Sequence, residues 1–86
     1  MVEPSSEFRT SDTPLAAYLI QDGFNLLIIE YEQRNGGKQR ATFVFEDSAA
    51  LRDRVSLFNR GEATINIVLY EHAKQTLLDR IMRGLP

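Results

Sequence analysis

His72 is the only side chain among 86 residues whose ordinary pKa lies near neutrality. To act as a general base it needs a nucleophile and an orienting carboxylate beside it. Glu71 precedes it, but no Gly-x-Ser-x-Gly elbow occurs and the other carboxylates are scattered. His72 therefore reads as an exposed helical residue. Metal ions require His, Cys or carboxylates at set spacing. The chain has no cysteine, and Asp12, Asp22 and the Glu46-Asp47 pair match no ligand pattern. Gly36-Gly37-Lys38 invites comparison with a phosphate loop, yet Gln39 follows Lys38 and the upstream glycine is missing. No catalytic, cofactor-binding or metal-binding residue is assigned. No small-molecule substrate is evident, and the chain reads as non-enzymatic.

A different chemistry sits at Arg34, Lys38 and Arg40, which cluster with Gln33, Asn35 and Gln39. A basic two-stranded ribbon can enter a major groove or lie along phosphates. Against this, Glu30 and Glu32 lie just behind the cluster, the net charge is −2, and no aromatic ring interleaves the basic residues. Nucleic-acid contact through these three residues is the alternative reading. Arg52, Arg54 and Arg60 read as a solvated helix face. Arg9 is expected to pair with Asp12.

These residues are positioned by a hairpin between helices. The apolar runs Phe24 to Tyr31 and Ala41 to Phe45 flank Asn35-Gly36-Gly37-Lys38. Asn-Gly between such runs marks a tight turn, because both residues tolerate positive φ. A two-residue loop would pair Glu30 with Phe43. A three-residue loop over Asn35-Gly36-Gly37 pairs Tyr31 with Ala41, Ile29 with Phe43 and Leu27 with Phe45, which leaves one wholly apolar face. That register is expected. The opposite face then carries Glu30, Glu32, Arg40, Thr42 and Glu46, with Phe24, Leu26, Ile28 and Val44 at the open end. That apolar base calls for a second cover.

Asp12 or Thr13 caps a first helix, with Pro14 at the first helical position and Gly23 at its end. Leu15, Tyr18 and Leu19 form its stripe. Asp47 or Ser48 caps a second helix with Leu51, Val55 and Phe58 buried, stopped at Asn59-Arg60-Gly61. Asn66 caps a third, from Ile67 to Arg83, with Ile67, Tyr70, Ala73, Leu77, Leu78 and Ile81 as its stripe. Phe8-Arg9-Thr10 and Ala63-Ile65 are expected to add short strands, giving a four-stranded antiparallel sheet. The fold class is α+β, in the order (β)αββα(β)α: a hairpin or small sheet covered by three helices.

The bulk numbers agree with a single domain over residues 7–86 behind a tail at 1–6. With 43% hydrophobic and 26% charged residues the chain is globular rather than disordered. A body this small leaves little space for a pocket of about 300 Å³ or more beside a packed core, which favours a binding module over an enzyme. The absence of cysteine fits a reducing compartment. The first residues lack the basic flank and apolar core of a signal peptide. The longest apolar run, Leu15 to Ile20, is too short to span a bilayer. A cytoplasmic protein without membrane contact is expected.

Phe8-Arg9-Thr10-Ser11-Asp12, Leu15-Ala16-Ala17-Tyr18-Leu19 and Gly23 stand out as a set, with Phe43-Val44-Phe45-Glu46-Asp47, Phe58-Asn59 and Gly61-Glu62-Ala63. Together they resemble a family of small uncharacterised bacterial and phage α+β domains of unknown function. That family has Asn directly before Gly where this chain has Asn59-Arg60-Gly61. The resemblance implies a compact module and carries over no site residue. What remains is self-association. Leu77, Leu78, Ile81, Met82 and Leu85 make the end of the last helix apolar over a broad arc, more than a small core covers. A homodimer or other protein partner through Leu77, Leu78, Ile81 and Met82 is expected.

Overall fold

The computed structural model describes residues 6–33 and 39–84. They form β1 (Glu7–Thr10), α1 (Thr13–Gln21), β2 (Leu26–Gln33), β3 (Gln39–Glu46), α2 (Ala49–Asn59) and α3 (Ile67–Gly84). The sheet is antiparallel with strand order β1-β3-β2, so the second arm of the hairpin is the central strand. Phe8-Thr10 is a strand, as expected. Residues 63–65 are irregular, so the described sheet has three strands rather than four.

The hairpin holds the odd-loop register, with Tyr31 opposite Ala41 and Ile29 opposite Phe43. One pairing differs. Leu26, not Leu27, stands opposite Phe45, because a bulge between Leu26 and Ile28 makes Leu27 the extra residue. The bulge turns Leu26 onto the core face and leaves Leu27 and Ile28 about half exposed. Phe24 also packs on the core. The far face therefore keeps Ile28 and Val44 but not Phe24 or Leu26.

The local signals explain the helices. The Leu15 N–H donates to Asp12 Oδ1 at 3.3 Å, so Asp12 rather than Thr13 is the cap, with Thr13 and Pro14 opening the helix. Ser48 caps α2 through Leu51 N–H at 3.1 Å, and Asn66 caps α3 through Leu69 N–H at 3.1 Å. Two helices end alike. Gly23 N–H donates to the Ile20 carbonyl and Phe24 N–H to that of Leu19. Gly61 N–H donates to Phe58 and Glu62 N–H to Leu57. Both glycines have positive φ, +96° and +74°, which closes a Schellman turn without a Cβ clash. Arg60 before Gly61 fits as the α-helical cap residue.

α1 packs against both α2 and α3, which touch each other little. Five consecutive α1 residues, Leu15 to Leu19, are buried, as befits a helix covered on several sides. They meet Phe43 and Phe45 of β3, Leu51 of α2, and Ala73 and Leu77 of α3. α3 runs antiparallel to α1. Its start is tied to Gln21, whose Oε1 accepts from Asn66 N–H at 3.0 Å. Its end lies by the hairpin, where the Tyr31 hydroxyl sits 3.4 Å from the carbonyls of Arg80 and Ile81.

Phe43→Ala is expected to cost about 3–5 kcal/mol, since this side chain is fully buried between sheet and α1. That is a large share of the ~4–13 kcal/mol typical of a chain this long. Leu27→Ala, in the bulge, is expected to cost less than about 0.5 kcal/mol. Urea unfolding midpoints of the two variants check the register directly.

Candidate functional site

The expected basic cluster divides. Arg34 and Lys38 lie outside the described residues. Arg40 stands opposite Glu32, and its Nε donates to Ser11 Oγ at 2.8 Å, tying β3 to the link between β1 and α1. On the same open sheet face, Arg9 donates to Glu7 at 2.8 Å and to Glu30 at 3.1 Å. Glu30 is two strands away, so the Arg9 side chain crosses the central strand. It is not paired with Asp12, whose carboxylate is occupied as the α1 cap.

The helical arginines are also engaged. Arg52 grips Asp47 with both Nε and a terminal nitrogen. These charge-assisted bonds hold the Asp47 carboxyl below the usual carboxylate range and raise the arginine. Arg54 pairs with Asp22, joining α2 to the end of α1. Arg60 lies 3.4 Å from Glu62. His72 is exposed on α3, where its backbone carbonyl accepts from Thr76 Oγ1.

The expected interface residues separate by burial. Leu77 is fully buried in the core and offers no free surface, while Ile81 is partly buried against it. The reason is that α1 fills the arc that sequence leaves open. Leu78 and Met82 are exposed, at 41% and 70%. Ile67, assigned to the buried stripe, is 73% exposed, and Ile65, Val68 and Leu69 beside it are exposed too. The apolar surface of α3 thus extends to its N-terminal end, on a flank the core does not cover.

Among the described residues, hollows open on the surface at several places. One of about 450 Å³ lies between β1 and α2, lined by Phe8, Arg52, Val55, Ser56, Asn59 and Arg60. One of about 300 Å³ lies at Gly23, Phe24, Asn25, Glu46 and Ser48. Another, of about 240 Å³, is lined by Tyr18, Asp22, Arg54, Leu57, Glu62 and Thr64. Tyr18 is 2% exposed and its ring stacks on Phe58 at 5.6 Å. Burial, reinforced by Asp22 and opposed by Arg54, pushes its phenol above the ordinary tyrosine range. Sequence reasoning placed Tyr18 in the core stripe and missed this hollow. The available signal was a hydroxyl on a stripe otherwise built of Leu and Ala.

A family model, a domain of unknown function (DUF5659), matches residues 5–84. The chain belongs to the DUF5659 family. No curated protein and no solved structure gives a significant match. The DUF5659 match runs from before β1 to the end of α3, so strands, helices and these hollows lie within one family unit. Among the described residues of this DUF5659 domain, no helix is long and apolar enough to cross a membrane.

The Asp47–Arg52 pair sets an acid dependence. A carboxylate with a depressed folded pKa stabilises the fold above its unfolded pKa, near 3.9, and that contribution fades as pH falls through the folded value. Asp47→Asn is therefore expected to flatten the acid limb of stability against pH. Thermal midpoints of both proteins between neutrality and strong acid measure it.

Proposed function

We propose that this chain is a non-enzymatic interaction module that acts through protein–protein contact, with a second copy of itself as partner. One observation carries the reading. Ile67, Glu71, Lys74 and Leu78 follow the four-three-four spacing of a helical seam along an exposed flank of α3. The order is apolar, acid, base, apolar. Reversed against itself about a point between His72 and Ala73, the seam sets Ile67 opposite Leu78 of the second copy and Glu71 opposite Lys74. A two-fold axis makes each contact occur twice.

Within one chain, Glu71 and Lys74 are 3.9 Å apart with side chains 62% and 42% exposed, so they can exchange partners. Ile67 and Leu78 are 73% and 41% exposed. Fully burying an exposed side chain of this size contributes about 1.5–3 kcal/mol, and the half-buried Leu78 contributes less than Ile67. A net charge of −2 sets little long-range repulsion between copies. The alternative, nucleic-acid contact through Arg34, Lys38 and Arg40, gains no support from the described residues, in which Arg40 is engaged with Ser11.

Light scattering at tens of micromolar is expected to give the mass of a dimer. Glu71→Lys sets lysine against lysine twice at the centre of the seam and is expected to give a monomer. Adding Lys74→Glu restores opposite charges and the dimer. A monomeric parent protein overturns the reading, and so does a dimer indifferent to Glu71→Lys.

A further inference from the structure

We propose that the free edge of β1 takes up an extended acidic peptide as a further antiparallel strand, seated beside α2. β1 has β3 on one side only. The ladder says which of its backbone groups look outward. Asp47 N–H donates to the Ser6 carbonyl at 3.0 Å, and Glu7 stands opposite Glu46. Bonded and non-bonded pairs alternate along an antiparallel ladder. Phe8 and Thr10 therefore bond to β3, while the N–H and C=O of Glu7 and Arg9 point to the open side. No side chain or loop among the described residues bonds to those four groups.

The two edges of the sheet are unlike. β2 carries a bulge, a device that turns an edge away from strand pairing. β1 holds four pairs in unbroken register. The Arg9 guanidinium is drawn away from this edge, across the open sheet face to Glu30.

The groove decides the occupant. Phe8 packs on the helix side and lines the hollow of about 450 Å³ with Arg52, Val55, Ser56, Asn59 and Arg60. On an added strand, the residue opposite Phe8 shares its face, so it meets Phe8 and Val55 and is apolar. The lining holds two guanidinium groups and no carboxylate. Asp47, the partner of Arg52, has a side chain only 6% exposed, against 71% for Arg52. Arg52 gives Asp47 its Nε–H and one terminal N–H, which leaves three of a guanidinium's five donors. Arg60 is more than half exposed and meets Glu62 at 3.4 Å. The two arginines stand about 12 Å apart along the helix. An extended chain covers about 13 Å in four residues. Carboxylates two residues before and after the apolar one match that spacing on the same face. The partner is an extended segment of another protein with the pattern acid-x-apolar-x-acid.

No residue of this groove belongs to the α3 seam, so the site stands apart from self-pairing. The probe is the peptide acetyl-Thr-Glu-Thr-Val-Thr-Glu-Thr-amide, titrated into the full chain and followed by amide NMR. Saturable shifts at residues 7–9 and 52–60 are expected, with slowed amide exchange at Glu7 and Arg9. That slowing separates strand addition from a contact between charges alone. The same peptide with lysine for both glutamates is expected to bind about tenfold more weakly, the loss of a hydrogen bond between charged groups.

Glu7→Pro removes an outward N–H at the first residue of the strand and spares the β3 ladder. It is expected to weaken binding about fivefold, and Arg60→Glu about tenfold. No saturable shift with the acidic peptide overturns the proposal. So does binding without slowed exchange at Glu7 and Arg9, equal affinity for the lysine peptide, or an affinity unchanged in both variants.

Discussion

Phe43 and Phe45 on the central strand, pressed against α1, are the contact around which this domain is arranged. Both are fully buried, and they belong to the strand with a neighbour on each side. A three-stranded sheet with helices on one face has only one core layer, so its inward residues must face a helix that is itself well covered. α1 meets that demand with five buried residues in a row, a pattern that fits burial on several sides rather than an amphipathic surface helix. Ala16 and Ala17 keep that helix thin enough to lie between two others.

The parts of this fold that were legible in the sequence are those written in short-range chemistry. Asp12, Ser48 and Asn66 announce helix starts, because their side chains satisfy backbone N–H groups within three residues. Gly23 and Gly61 announce ends for an equally local reason. The hairpin register followed from asking which pairing leaves an apolar face. It failed at Leu26-Leu27-Ile28-Ile29, where four apolar residues in succession give alternation nothing to choose between. Tertiary burial chose there, and the bulge is the result. The extent of α3's buried face was likewise illegible: Ile67 and Leu77 are equally apolar, and only the flank each takes relative to the core decides which one is covered. The Tyr18 hollow depends on an irregular segment, residues 62–64, crossing a helix end, which no periodicity encodes.

Arginine placement shows the same division between local and tertiary. Arg9, Arg40, Arg52, Arg54 and Arg60 look like an available basic surface when counted along the chain. In the fold each meets an acceptor, and three of the links join separate elements: Arg9 to Glu30, Arg40 to Ser11, Arg54 to Asp22. Exposed pairs of this kind contribute little stability singly. Their effect is on specificity. They fix where strand and helix ends lie against each other.

The two outer helices are then chemically unlike. α2 turns arginines and polar groups outward around the wide groove beside β1, and those groups are content in water. α3 turns Ile67, Val68, Leu78 and Met82 outward, and those are not. A layer of three helices on three strands leaves one flank of each outer helix uncovered whatever the sequence. Water-compatible residues on both flanks would give a self-sufficient monomer. This chain supplies them on one flank only, while the other carries an acid and a base spaced so that reversal exchanges them. A stripe with that internal symmetry is poorly explained by core packing, and it is the feature on which the proposed pairing with a second copy rests.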